Sequence, residues 1–523
     1  MQRDQSLCCS RRENQRLDAC SITPYRFSDE AAWEEGRHRH HEARQRSSPI
    51  PIPQPTTGAI VEITADAAGP VLTMPSAPRA FHVMAKPTGA TCNLDCEYCF
   101  FLSKEMLYPG SRFRMAEELQ ETYIRQLLEA HTGAAEVVLA WQGGEPTMMG
   151  LDFFRRSIEL QARYARPGQR ILNTLQTNGT LLTDEWGEFL KENDFLVGIS
   201  IDGPREMHDA YRVDKGGKPT FNRVIRGLGV LKRHHVDWNV LTTIHAANGN
   251  HGAEVYRFQR DVLGATFIQY IPIIEWATPE TLQTADAGWG SGVHGRPLYV
   301  QDGSLVTHRS VEPAQFGRFM IDVFEEWVRH DIGAVYVQMF DTALANWYGE
   351  PAGMCVHAET CGRQLALEHN GDMYSCDHYV EPGYLLGNIA DKHMLELIDL
   401  PQQREFGAAK RDTLTRYCRD CDVRVACNGG CPKDRFATSP YGEAGQHYLC
   451  PGYKAFFHHV EGPMHAMAQL LHDGGAPAEL MDQYATTDAQ RGRNEPCTCG
   501  NGRKWKKCHG ASLGRAPGDA RFA

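Results

Sequence analysis

The sequence predicts an α/β protein: six β/α units form an incomplete parallel barrel, a cysteine-rich domain follows, and a small zinc-binding module lies near the C-terminal end. Three observations predict it. From about residue 80 onward, short apolar runs alternate with amphipathic helical stretches, the pattern of a parallel sheet with crossover helices. Residues that carry chemistry gather where those apolar runs end, and in a barrel of parallel strands the site is built at those ends. Most of the 17 cysteines fall into metal-type clusters.

Bulk properties set the frame. A chain of 523 residues can hold two or three domains with real cores, and its 42% hydrophobic and 23% charged residues are ordinary for a globular protein. A net charge of −11 argues against a nucleic-acid binder held by phosphate contacts. No apolar run is as long as a membrane span, and the N-terminus has no signal-peptide core, so a cytoplasmic location is expected. Without an export signal, reduced thiols that bind metal are the better reading of the cysteines.

Residues 1–75 are rich in Arg, His, Pro and Ser, have no sustained periodicity and are expected not to fold by themselves. Strands are expected at 81–85, 136–141, 171–176, 195–201, 238–244 and 267–273. Helices are expected between them at 116–131, 152–164, 184–192, 221–234 and 253–263. Residues 279–311, rich in Gly, Thr and His, read as an inserted loop. The helix at 313–330 is expected to cover the open edge of the barrel.

Directly after the first strand stands Cys92-Asn93-Leu94-Asp95-Cys96-Glu97-Tyr98-Cys99. Three thiolates at this spacing can hold three irons of a [4Fe–4S] cluster and leave the fourth open to a substrate or cofactor. A zinc knuckle would want a fourth ligand nearby, yet the next cysteine is Cys355 and the next histidine His131. The spacing resembles the radical S-adenosylmethionine (SAM) family, in which the open iron chelates SAM. That resemblance implies a partial (β/α)6 TIM-like barrel.

The later strand ends fit the resemblance. Gly143-Gly144-Glu145-Pro146 follows strand two, Gln176-Thr177-Asn178-Gly179 ends strand three, and Ser200-Ile201-Asp202-Gly203-Pro204 ends strand four. A glycine pair before a proline is by itself a turn signal. Here it resembles the family's GGEP motif, which implies cofactor binding by Gly143, Gly144 and Glu145, with the backbone beside the second glycine approaching the SAM amino group. By the same resemblance Ser200 and Arg212 match positions that hold the ribose and carboxylate. Tyr98 and Ile268 match contacts around the adenine, and Gln142 and Gln176 line the floor.

Residues 355 to 450 carry eight cysteines, enough for two four-cysteine sites, either cubanes or zinc sites. Their order resembles the SPASM extension of radical-SAM peptide maturases. That implies two auxiliary [4Fe–4S] clusters, one on Cys355, Cys361, Cys376 and Cys431 and one on Cys418, Cys421, Cys427 and Cys450. With the SAM-binding cluster on Cys92, Cys96 and Cys99, three clusters are implied. Asp377, tied to a ligand in Tyr374-Ser375-Cys376-Asp377-His378-Tyr379, has the fixed position a general base needs. The matching runs, including Gly429-Gly430-Cys431-Pro432-Lys433-Asp434-Arg435, sharpen the resemblance to anaerobic sulfatase-maturating enzymes, and Asp377 sits where their catalytic base does. Many members have Cys-Phe-Tyr after the third ligand; this chain has Cys99-Phe100-Phe101, lacking that phenol.

Cys497, Cys499, Cys508 and His509 supply a zinc-type ligand set within a basic segment that resembles the SEC-C motif. The expected organisation is therefore an N-terminal extension (1–75), the radical SAM core (76–312), a connecting helical segment (313–354), the SPASM domain (355–460), a linker (461–493), the SEC-C motif (494–511) and a tail (512–523). The resemblance implies oxidation of a sulfatase cysteine or serine, in a Cys/Ser-x-Pro-x-Arg segment, to Cα-formylglycine. SAM is the implied cofactor, and flavodoxin or ferredoxin the implied electron donor. Two other readings use parts of the pattern: a peptide maturase forming thioether or carbon–carbon crosslinks, and an iron–sulfur electron carrier that needs no SAM pocket.

Overall fold

The computed structural model describes residues 81–134, 136–290, 292–497 and 502–508. Six strands of the expected barrel are present: β1 (His82–Lys86), β2 (Glu136–Trp141), β3 (Arg170–Thr177), β4 (Leu196–Ser200), β5 (Asp237–Ile244) and β6 (Phe267–Pro272). They pair in sequence order and in parallel. Between them run α1 (Glu117–Ala130), α2 (Leu151–Tyr164), α3 (Asp184–Glu192), α4 (Phe221–Arg233) and α5 (Gly252–Arg257). The expected helix at 253–263 changes to a π turn over Phe258–Val262.

The sheet does not stop at the barrel. After α6 (Pro313–His330) the chain adds β7 (Tyr336–Val337) parallel to β6, then α7 (Gln338–Tyr348). On the far side β8 (Gln364–Glu368) pairs in parallel with β1, and β9 (Asp372–Tyr374) and β10 (Leu385–Asn388) continue antiparallel. The ten-stranded order is β10-β9-β8-β1-β2-β3-β4-β5-β6-β7. Both barrel edges are thus extended by strands, so α6 does not serve as the expected edge cover. It starts at Pro313 under a capping box of Glu312 and Gln315 and buries Phe316, Phe319, Val323, Phe324 and Val328 in the core.

The segment read as a linker is also structured. Helix α8 (Cys450–His472) begins at a cysteine of the second field and carries Val460, Met464 and Met467, all 0% exposed, into the same core as the barrel helices. A further helix, Leu480–Gln490, follows. Trp276–Ala277, just before the insertion, and Leu305–Val306 within it form a two-stranded antiparallel ribbon, fastened by the buried Arg309–Glu275 ion pair (3.0 Å). No helix among the described residues is long and apolar enough to cross a membrane.

Candidate active site

The cysteine loop leaves β1 at its C-terminal end and is laced to the glycine loop after β2. Gly144 N–H donates to the Gly89 carbonyl (2.8 Å) and Glu145 N–H to the Thr91 carbonyl (3.0 Å). A Cβ on Gly144 would lie 2.0 Å from the Thr91 carbonyl oxygen, so the neighbouring cysteine loop itself demands glycine there. Gly143, at φ +117°, needs glycine for its backbone conformation as well. Gly144→Ala is expected to push the two loops apart and to weaken SAM binding by about tenfold or more, given the ~1–3 kcal/mol cost of overpacking. Equilibrium binding of SAM to the reconstituted protein measures it.

Glu145 is fully buried, and its carboxylate is spent on the fold. It accepts from Thr147 N–H (3.0 Å), Thr147 Oγ1 (2.6 Å), Thr177 Oγ1 (2.8 Å) and Asn178 N–H (2.8 Å). It joins the ends of β2 and β3 as a positioning residue. Burial pushes its carboxyl up, and these hydrogen bonds pull it back.

Tyr98 lies within the cysteine triad and donates its hydroxyl to Asp202 Oδ2 (2.7 Å). Arg212 clamps the same carboxylate through Nε (2.8 Å) and Nη2 (3.1 Å), and Thr243 N–H donates to Oδ1 (3.0 Å). His245 lies 3.6 Å away. Burial pushes Asp202 up, but the Arg212 guanidinium and His245 outweigh it and hold the carboxyl well below the usual range. Nε and Nη2 make this clamp, so the Arg212 guanidinium is fixed by Asp202 on that side.

On the inner face of the sheet, Gln176 Nε2 donates to Ser200 Oγ (3.2 Å), and Gly198 makes room for the Gln176 amide. Gln142 follows β2 on this same face, half-buried, its N–H donating to the Ala85 carbonyl (2.8 Å). Ile268 does not share the face. It pairs with Val240 in the helix-side core, and the inward residue of β6 is Gln269, fully buried. Strand alternation accounts for the difference of one position.

Asp377 reaches the site by topology. β8 joins the sheet beside β1, β9 runs back antiparallel with Tyr374 level with Ala366 and Met84, and in the turn that follows Asp377 forms an ion pair with Lys86, the last residue of β1. Lys86 is 3% exposed and its Nζ sits 3.9 Å from the centre of the Phe101 ring. Burial pushes Asp377 up, while the charges of Lys86, His378 and Lys104 bring it below its ordinary value. Phe100 packs against the ring of His378, the neighbour of Asp377 in sequence, and against Tyr299 of the insertion. Sequence reading missed Lys86, Asp202 and His245. A charged or polar residue ending an apolar buried strand was the available signal.

The second cysteine field folds into two groups. Cys418, Cys421, Cys427 and Cys450 line one cavity with Tyr453 and Gln446. Burial, and then the neighbouring Cys355 and Cys431 thiols, push Cys376 up; Cys355 is raised to about 11 by burial and by Cys361. The structure thus brings the eight cysteines together as four and four. Among the described residues no three Cys, His, Asp or Glu side chains close on a single-ion site. In the triad, burial likewise pushes Cys92, Cys96 and Cys99 up, and bound iron would relieve that cost by holding them as thiolates. Cys497 and Cys508 pack round Trp505, while Cys499 and His509 lie outside the described residues.

Comparison with known proteins agrees with this geometry. Sequence profiles match the Radical SAM superfamily over residues 87–258, the SPASM iron-sulfur cluster-binding domain over 355–422 and the SEC-C motif over 493–511. Fold and site thus define a radical SAM enzyme with an iron–sulfur-binding extension. A serine-type anaerobic sulfatase-maturating enzyme of Bacteroides thetaiotaomicron is 42% identical over 77% of this chain and 95% of its own. A cysteine-type enzyme of Clostridium perfringens is 31% identical over 72% of this chain and 95% of its own. A solved structure described as native anSMEcpe with bound AdoMet and Cp18Cys peptide superposes with a TM-score of 0.63 at 30% identity, covering 75% of this chain and 99% of the other. The chain belongs to the anaerobic sulfatase-maturating enzymes.

Proposed function

We propose that this enzyme oxidises a cysteine or serine within a Cys/Ser-x-Pro-x-Arg segment of a sulfatase to Cα-formylglycine, with three [4Fe–4S] clusters and SAM as cofactors. The observation that carries the reading is the convergence of the Cys92/96/99 loop and the Lys86–Asp377 pair at the end of β1. Cys92, Cys96 and Cys99 would hold the cluster, and SAM bound there would supply the radical chemistry that removes a hydrogen atom from the target Cβ.

The chain's own residues do the rest. Lys86 keeps Asp377 an anion in a buried place, where desolvation alone would favour the neutral acid, so Asp377 is ready to take the proton from the substrate thiol or hydroxyl. Phe100, Phe101 and Tyr299 make the adjoining wall apolar and keep water from the radical. Cys355, Cys361, Cys376 and Cys431, and Cys418, Cys421, Cys427 and Cys450, would hold the auxiliary clusters, which would supply an acceptor for the remaining electron; a flavodoxin- or ferredoxin-type protein would take that electron up and supply the one that SAM cleavage needs. The product from serine is the aldehyde; the thioaldehyde from cysteine hydrolyses to the same group. We assign zinc to Cys497, Cys499, Cys508 and His509.

The test is an anaerobic assay of reconstituted enzyme with SAM, dithionite and a Ser-x-Pro-x-Arg or Cys-x-Pro-x-Arg peptide, read by mass spectrometry. The serine peptide should lose about 2 Da and the cysteine peptide about 18 Da. Release of 5′-deoxyadenosine with neither peptide changed would move the assignment to another peptide substrate.

A further inference from the structure

Two cations in the SPASM region have no carboxylate. Lys410 is 0% exposed and Arg435 is half-buried, and neither makes an ion pair among the described residues. Their hydrogen bonds go to carbonyl oxygens. Arg435 Nε donates to Gly429 (3.0 Å), Nη1 to Lys410 (2.6 Å), and Nη2 to Asn428 (3.3 Å) and Gly430 (3.2 Å). Lys410 Nζ donates to Ala358. Nearby Lys433 is different: Asp434 neutralises it at 2.7 Å.

The loop that Arg435 grips joins the two cysteine groups. Cys427 lies at its start and Cys431 at its end, one from each set of four. Asn428, Gly429 and Gly430 run consecutively at φ +47°, +73° and +63°, a left-handed path that turns their carbonyls onto one guanidinium. The cysteines whose charge would act on Arg435 come from both groups: Cys418 and Cys427 on one side, Cys431 and Cys361 on the other. Lys410 faces Cys431, Cys355 and Cys361.

An unpaired buried cation is costly, and carbonyl dipoles offset only part of that cost. The missing negative charge is that of the cysteine groups themselves. Four thiolates round a cubane carry net negative charge that grows by one on reduction, so a fixed cation beside the cluster favours the reduced form.

We infer that Arg435, with Lys410, is a cationic bridge between the two auxiliary cysteine groups that raises their readiness to take the electron left on the substrate. This rests on the iron–sulfur reading given above. When Cβ has lost a hydrogen atom and the thiol or hydroxyl a proton, one electron remains to be removed. The bridge makes its entry into an oxidised auxiliary cluster more favourable. Arg435 and Lys410 are positioning residues that act through the clusters and touch no substrate.

The test uses the full chain, reconstituted anaerobically, with Cys92, Cys96 and Cys99 replaced by Ala so that only auxiliary signals remain in a potentiometric EPR titration. The parent should hold about eight irons, four per group. Arg435→Gln should shift the auxiliary reduction equilibrium toward the oxidised form by about tenfold, ~59 mV for one electron. Arg435→Lys, which keeps the charge but loses the fork, should recover most of the shift. Lys410→Gln, which leaves the Arg435 fork and its four carbonyls in place, should shift one signal in the same direction. Should Arg435→Gln lose iron, Lys410→Gln carries the decision. Unchanged potentials at full iron content, or equal shifts in Arg435→Lys and Arg435→Gln, would overturn the bridge. Absence of auxiliary iron in the parent would overturn the reading beneath it.

Discussion

Asp377→Asn is expected to leave SAM cleavage running while formylglycine formation falls by about 10²- to 10⁴-fold, the usual contribution of a positioned general base. Asparagine keeps the shape and can still accept a hydrogen bond from Lys86, so the site should assemble and SAM should bind. What it cannot do is take a proton. Hydrogen abstraction at Cβ needs no base, so 5′-deoxyadenosine should accumulate in excess of product. The ratio of 5′-deoxyadenosine to formylglycine, by chromatography and mass spectrometry of the same reaction, is the readout. Equal loss of both would mean that Asp377 acts on the geometry of the cofactor loop rather than on the proton. A ratio unchanged at full rate would remove Asp377 from the mechanism.

The six barrel strands were legible because each is an apolar run long enough to show its periodicity and is followed by an amphipathic helix. The four added strands were not. β7 is two residues long, and β8 is recognisable only through its pairing with β1, His82 with Gln364 onward, a contact across most of the chain. No local pattern encodes such a partner. Yet that pairing carries Asp377 to Lys86, so the expected base could be named from its motif while its charge partner could not.

Two other differences have local causes. The segment 461–493, read as a linker, carries Met464 and Met467, which with Val460 just before it recur at helical spacing on one face and dock into the core. Ile268 against Gln269 is a matter of strand phase. In a run as apolar as Phe267-Ile268-Gln269-Tyr270-Ile271 the one amide marks the inward face, because the outward face packs on helices.

The second large effect belongs to Asp202, which holds Tyr98 and Arg212, the two residues proposed to contact SAM. Its carboxylate gathers Arg212, Tyr98 and the Thr243 N–H in a fully buried position. Asp202→Asn removes the charge and strands a guanidinium that is 7% exposed, and breaking a buried pair in this way costs about 3–5 kcal/mol. Chemical denaturation should show that loss, and the KM for SAM should rise as Tyr98 and Arg212 lose their anchor. The double variant Asp202→Leu/Arg212→Met should regain much of the stability, because removing both charges costs less than leaving one, while SAM affinity stays poor. The pH dependence has a definite sign. Asp202 is held below its unfolded value, so its stabilisation is complete above the ordinary carboxylate range and is lost as pH falls through the lower folded value. Between about pH 5 and pH 2 the wild type should therefore lose a component of stability that Asp202→Asn has already lost, and the two denaturation curves should converge. Curves that stay parallel across that range would show that Arg212 is balanced by another group, and the cofactor-loop anchor would have to be sought there.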